Sequence, residues 1–154
     1  MALPPFQLAL DQHRDSLARF LVATVGPQDA DDCLQETLIS ALRAYPRLRA
    51  GSNVRAWLFT IARNKALDEH RARARRPVPV AAGLDSATTA GHDSADAELW
   101  GAVRELPPKQ RAAVVLRFVN DLPHRDIATV LDCSEAAARR SLHEGLAKLR
   151  EEWT

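Results

Sequence analysis

The stretch SNVRAWLFTIARNKALDEHRARARR, residues 52–76, decides the fold that we predict for this chain. Its first half has the i, i+3, i+4, i+7 spacing of an amphipathic helix, carried by Val54, Trp57, Leu58 and Ile61. Ser52 is the predicted N-cap, because its hydroxyl can accept a hydrogen bond from a first-turn N–H. The pattern therefore predicts a helix with one buried face.

The second half of this stretch is strongly basic. Its cations are Arg63, Lys65, Arg71, Arg73, Arg75 and Arg76. Only Asp68 and Glu69 oppose them, and Pro77 ends the helix. The run Arg71–Arg76 is either a solvated helix end or a contact with DNA or a protein partner, and its position before a linker and beside Arg63 and Lys65 favours the contact. A helix with a buried face and a cationic end indicates nucleic-acid binding.

The composition predicts an all-α, soluble, cytoplasmic protein. Hydrophobic residues make up 46% of the 154 and aromatic residues only 5%, while Ala, Leu and Arg dominate, which favours helix over strand. The net charge of +1 gives no global attraction to nucleic acid, so charge must be segregated locally. No apolar run reaches the length of a membrane span. We expect no membrane insertion.

The N-terminal part is predicted to be a three-helix bundle. Its first helix runs from Gln7 to Val25, and Gly26-Pro27 breaks it. Asp29 is the predicted cap of a second helix that reaches Tyr45. The buried face of that second helix is predicted to contain Ala30, Cys33, Leu34, Thr37, Leu38, Ala41, Leu42 and Tyr45.

Residues 77–95, PVPVAAGLDSATTAGHDSA, have no apolar period and no Lys or Arg, which predicts a flexible linker. The parts on either side differ in charge. Residues 1–76 contain 12 Lys and Arg against 8 Asp and Glu, a net +4, and residues 96–154 contain 9 against 10, a net −1. We therefore divide the chain into domains 1–76 and 96–154, without a single relative orientation.

The second domain has the pattern of a helix-turn-helix unit. Helices are predicted over Asp96–Glu105 and Lys109–Val119. A short helix, Pro123–Leu131, and a turn at Asp132-Cys133 then precede a long helix capped by Ser134. Arg139 and Arg140 lie early in that last helix, as in units that place their second helix on DNA.

Three segments together resemble the extracytoplasmic-function (group 4) sigma factors of bacterial RNA polymerase. They are DADDCLQETLISALRAY, SNVRAWLFTIARNKALDEHRAR and LPPKQRAAVVLRFVNDLPHRDIATVLDCSEAAARRSLHEGLAKLR. The resemblance covers nearly the whole chain in the family's order. It implies a sigma-2 domain that opens and reads the minus-ten element and a sigma-4 domain that reads the minus-thirty-five element. The implied partners are core RNA polymerase, promoter DNA and an anti-sigma factor.

The site residues combine this resemblance with side-chain chemistry. Arg63 and Lys65 suit phosphates, and Asn64 has both a donor and an acceptor for a base edge. The implied minus-ten set is Arg49, Ser52, Asn53, Arg63, Asn64, Lys65 and Arg71. The minus-thirty-five set is Ser134, Arg139, Arg140 and His143, of which His143 is more simply a surface histidine. The core-polymerase set on the second helix is Asp32, Gln35, Glu36 and Ile39.

Other functions fit the chain less well. Trp57 is assigned to core packing rather than base stacking. Cys33 and Cys133 are interpreted as small buried hydrophobes, since no cluster has metal-ligand spacing. No catalytic constellation or phosphate loop occurs, so we predict no enzyme, metal or cofactor.

Two alternative functions remain. The last helix is weakly basic, with Ser141, Glu144, Gly145 and Leu146, which leaves open a sigma-like decoy that binds an anti-sigma protein without initiating transcription. A free-standing repressor is the third alternative, although no coiled-coil seam provides a dimer interface.

Overall fold

The predicted all-α fold is confirmed in the computed structural model, which describes residues 2–75 and 94–152 and has no strand in those ranges. The helices of the first domain are α1 (Phe6–Val25), α2 (Pro27–Ala44) and α3 (Val54–Arg75), with a short 3-10 helix at Tyr45–Arg47. Those of the second are α4 (Ser94–Glu105), α5 (Pro108–Phe118), α6 (His124–Leu131) and α7 (Glu135–Glu152).

Helices α1, α2 and α3 pack around one apolar centre. Phe20 of α1 and Phe59 of α3 are fully buried, and their rings meet edge to face with centroids 5.6 Å apart, a favourable aromatic geometry. Gly26 separates α1 from α2 with φ 91°, a conformation that a residue with a Cβ rarely adopts. The Gly26-Pro27 break and the three-helix bundle are both as predicted.

The helix-turn-helix unit is also as predicted. Asp132 ends α6 in the left-handed region, φ 54°, which Asp tolerates better than most residues. The N–H of Cys133 then donates to the carbonyl of Ala128 at 3.0 Å. Ser134 caps α7, since its Oγ accepts a hydrogen bond from the Ala137 N–H at 3.0 Å.

Two predicted caps are wrong. Helix α2 begins at Pro27, so Asp29 lies inside its first turn and forms an ion pair with Arg73 instead. Helix α3 begins at Val54, and its cap is Asn53, whose Oδ1 accepts from the Ala56 N–H at 3.1 Å. Ser52 lies one residue too early to reach that N–H.

The predicted buried faces are partly wrong. On α3 Leu58 is buried as predicted, but its buried neighbours are Ala56, Phe59, Ala62 and Ala66, whereas Val54, Trp57 and Ile61 are only partly buried. The pattern missed the three alanines because alanine carries little apolar signal. On α2, Leu42 is 58% exposed, because it lies one residue past the buried Ala41 and thus about 100° around the helix.

The two domains pack against each other along α3 and α6 and along α1, α4 and α5. Asn120 donates to the Ser16 carbonyl at 2.8 Å, and Arg111 donates to the Thr24 carbonyl at 3.3 Å. These contacts define one closed arrangement of the two domains, and the absence of a single relative orientation stays a prediction. Residues 77–93 of the predicted linker lie outside the described residues, while Ser94 and Ala95 belong to α4.

Candidate nucleic-acid and partner interface

One face of α3 is an open basic stripe. Asn64, Asp68, Arg71 and Arg75 follow one another at i, i+4, i+7 and i+11, and all are exposed. Arg71 and Asp68 approach only to 4.0 Å, with both side chains about two-thirds exposed, so their ion pair is worth little. Asn64 and Arg71 are thus free to meet a base edge and a phosphate from the same side.

A tight loop precedes this helix and positions Asn53. Gly51 adopts φ 85°, and the Ser52 N–H donates to the Arg49 carbonyl at 3.2 Å. Arg49 is exposed and Ser52 is half-buried. The side-chain amide of Asn53 is used at both ends: its oxygen caps α3, and its Nδ2 donates to Asp126 Oδ1 at 3.1 Å.

Arg63 does not lie on the exposed stripe. It is half-buried on the side of α3 that meets the second domain, where Cys133 and Asp132 lie close enough to influence the pKa of its guanidinium. Burial lowers the pKa of its guanidinium, and within the described residues its buried Nε has no hydrogen-bond partner. Lys65 is also partly buried. The structure therefore separates Arg63 from Asn64, which sequence spacing placed side by side.

Trp57 packs at the edge of the first domain. Its ring centroid lies 5.9 Å from that of Tyr45, and the ring centroid of Tyr45 lies 5.1 Å from that of Phe6. Trp57 also contacts the buried core. These contacts support the packing role for Trp57 over a base-stacking role.

Helix α7 exposes the face that carries the predicted minus-thirty-five residues. Arg139, Arg140 and His143 are all exposed, opposite the buried Ala138 and Leu142. Arg139 forms an ion pair with Glu135 at 3.0 Å, which reduces the positive charge that this turn can offer to phosphates. The same face thus presents a modest rather than a strongly basic surface.

Helix α2 exposes a mixed acidic and apolar face. Asp32, Gln35, Glu36 and Ile39 are all exposed, with Ile39 at 50%. Leu42, which sequence reasoning assigned to the core, extends this face by one turn. Large exposed apolar side chains that are bordered by charge are typical of protein-binding surfaces.

The cysteines show no sign of a shared site. Both thiols are free, Cys33 buried and Cys133 half-buried. Burial raises the pKa of Cys33 to about 11, with further contributions from Glu69 and Glu36. Among residues 2–75 and 94–152, no group of His, Cys, Asp and Glu is arranged to hold a metal ion. In the same ranges, no helix has the length and hydropathy to span a membrane.

Comparison with known proteins identifies the family to which this chain belongs. The model of Sigma-70 region 2 matches residues 9–76, and that of Sigma-70, region 4 matches residues 96–149. The chain is 34% identical over 140 residues to the ECF RNA polymerase sigma factor EcfG of Rhodopseudomonas palustris (strain TIE-1), covering 87% of this chain and 77% of that protein.

Two solved structures have the same fold over almost the full length. One is the sigma factor RpoE in complex with the anti-sigma factor NepR from Bartonella quintana, with TM-score 0.75 and 25% identity over 95% of this chain and 94% of that one. The other is CnrH in complex with the cytosolic domain of CnrY, with TM-score 0.74 and 26% identity over 96% and 86%. With both sigma-70 regions matched in order, the chain belongs to the extracytoplasmic-function (ECF) sigma factors of RNA polymerase.

Proposed function

We propose that this chain acts in the cytoplasm as a non-enzymatic subunit of RNA polymerase that directs core enzyme to promoters and opens them. The first domain, residues 1–76, binds core polymerase and the minus-ten element, and residues 96–154 bind the minus-thirty-five element. An anti-sigma factor controls the protein, which the complex of the similarly folded sigma factor RpoE with the anti-sigma factor NepR supports. Family membership supports the polymerase and promoter partners.

The observation that carries the proposal is the uncovered face of α2. Ile39 and Leu42 leave half or more of their surface exposed. Asp32 and Glu36 lie on the same side, one turn apart, so the face offers a basic partner both apolar contact and charge complementarity.

The α3 stripe and the α7 face take the DNA-binding roles. Asn64 is exposed with its amide free to read an unstacked base, and Arg71 lies two turns away for the backbone. Arg140 and His143 lie on the open side of α7. The division of charge supports a first domain that dominates the salt dependence of DNA binding, because each phosphate contact adds to that slope.

Charge reversal on α2 tests the polymerase contact. We expect Asp32→Arg with Glu36→Arg to weaken binding to core polymerase by about tenfold or more, since like charges then face a basic partner. Circular dichroism should show normal helicity, because both side chains are exposed. Affinity is measured by titrating labelled protein with purified core enzyme.

The matched control is Asp11→Arg with Asp15→Arg on α1. These residues have the same i, i+4 spacing, the same exposure and the same change of charge, but they lie outside the α2 face. The control should bind core polymerase like the unchanged protein. Equal affinity of the α2 variant and the unchanged protein would remove the α2 face from the proposal.

A further inference from the structure

The contact between α3 and α6 centres on one carboxylate, that of Asp126. Asp126 is only 5% exposed, although it lies in the first turn of a short surface helix. Its Oδ2 accepts from Arg55 Nη2 at 2.9 Å, and its Oδ1 accepts from Asn53 Nδ2 at 3.1 Å. Both donors belong to the first domain, so one side chain of the second domain receives two hydrogen bonds across the interface.

This contact engages residues that the proposed function assigns to DNA. Asn53 belongs to the loop that the proposed function assigns to the minus-ten base, and in this arrangement Asp126 accepts from one of the two N–H donors of its amide. Arg63, ten residues further along the chain, is half-buried near the Asp132–Cys133 turn. The second domain therefore hydrogen-bonds Asn53 and partly buries Arg63, while Asn64 and Arg71 on the other face have no such contact and stay exposed.

Other features of the interface oppose closure. Arg104 and Arg111 each have a lowered pKa through burial and a neighbouring cation: Arg73 beside Arg104, and Arg104 beside Arg111. The Nε atoms of Arg63 and Arg111 are buried without a partner in the described parts of the chain, which costs free energy. The closed arrangement therefore contains one favourable charge-assisted contact, at Asp126, and several arginines that repel one another. Because these effects oppose each other, a small change in either one can shift the population of the closed form.

We infer that Asp126 is an intramolecular latch that holds the second domain against Asn53 and Arg55, so that the free protein occupies the Asn53 amide and partly covers Arg63 within its own DNA-binding surface. What the covered surface binds rests on the proposed function, but the latch itself is a property of the free chain. Because only the open form is competent, closure lowers the apparent affinity for any ligand of that surface by the open fraction.

The test uses Arg55→Gln and Asp126→Asn in the full-length chain, each of which removes one charge of the pair. The matched control is Asp121→Asn, an exposed carboxylate of the same domain at φ 56°, where Asn is equally tolerated. Arg63 is modified with phenylglyoxal and its rate is followed by mass spectrometry. Small-angle scattering reports the radius of gyration, and thermal melting confirms that each variant is folded.

In both latch variants we expect phenylglyoxal to modify Arg63 about fivefold faster than in the unchanged protein, which is the change that loss of a partly exposed ion pair of moderate strength permits. Both variants should also have a larger radius of gyration. Asp121→Asn should match the unchanged protein. Unchanged labelling and radius in both folded latch variants would overturn the inference, and so would equal changes in the control.

A separate arm keeps the latch distinct from the proposed function. Core polymerase is titrated with each protein in a transcription assay. The latch variants should reach the same maximal transcription at about threefold less protein, because no closed form has to be opened first. A higher requirement for the latch variants would contradict the latch. If no protein supports transcription while Arg63 labelling still changes, the proposed function fails and the latch stands.

Discussion

Gly145 is the position where α7 comes closest to α5, and replacing it tests the packing of the second domain. Gly145 is buried. A Cβ added there would lie 2.9 Å from Cγ2 of Val114 and 3.3 Å from the backbone carbonyl oxygen of Gln110. Val114 is itself buried, and its branched side chain has few rotamers to choose from. Neither neighbour is the free end of a flexible side chain.

The expected magnitude is the difference between two opposing effects. Forcing one methyl group into a packed contact costs about 1–3 kcal/mol, while replacing Gly by Ala within a helix contributes about 1 kcal/mol in favour of folding. Gly145→Ala should therefore lower the free energy of unfolding by about 1 kcal/mol. Gly145→Val should lower it further, because the side chain is larger and disfavours helix.

Gly101 in α4 provides the matched control, because a Cβ there meets no atom within 4 Å. Gly101→Ala should raise the free energy of unfolding by roughly 0.5–1 kcal/mol, through helix propensity alone. Urea unfolding of the full-length chain, followed by circular dichroism at 222 nm, measures both variants. If Gly145→Ala stabilises the protein as much as Gly101→Ala does, the close approach of α5 and α7 is not a constraint and the reasoning is refuted.

The buried thiol and two histidines give further predictions. In a Cys133→Ser background, iodoacetamide should alkylate Cys33 at pH 8 about a hundredfold more slowly in the folded than in the unfolded chain, because burial raises its pKa to about 11 from 9.0; equal rates would contradict this. Burial and neighbouring arginines lower the pKa of His13 and His70 below 6.5 in the folded chain. Because the unfolded chain then binds more protons as the pH drops through 6.5, the free energy of unfolding should fall. Chemical denaturation at about pH 7.5 and about pH 5.5 would measure this fall. Arg55→Gln should raise the pKa of His13 in an NMR titration, since the charge of Arg55 contributes to lowering that pKa. An unchanged pKa would show that Arg55 does not lie close enough to His13 to affect it.

Helix positions, breaks and the helix-turn-helix unit follow from local signals that the sequence carries openly. The φ of Gly26 and the cap formed by Ser134 depend on residues next to one another in the chain. Local chemistry is therefore enough to predict them. The cap of α3 was missed by one residue, because Ser52 and Asn53 are both good caps and only the loop geometry at Gly51 chooses between them.

Surfaces that depend on tertiary packing could not be predicted in the same way. Leu42 fits the apolar rhythm of α2, and its exposure reflects which neighbours α2 has rather than its own sequence. Arg63 is adjacent to Asn64 in the chain, but the second domain covers only Arg63. The bond from Asn53 to Asp126 joins residues 73 positions apart, and no local pattern indicates it.

The central claim is that this chain makes core polymerase open promoters by holding a base near Asn64. The measurement is permanganate footprinting of a promoter selected from a library by core polymerase and the purified chain, with filter binding on the same DNA. The unchanged protein should expose unpaired thymines around the minus-ten element. Asn64→Ala should lose most of that signal with little loss of binding, whereas Arg139→Ala with Arg140→Ala should bind less DNA. Promoter opening by Asn64→Ala at the level of the unchanged protein would contradict the base-binding role, and no opening by the unchanged protein on any promoter of the library would contradict the account as a whole.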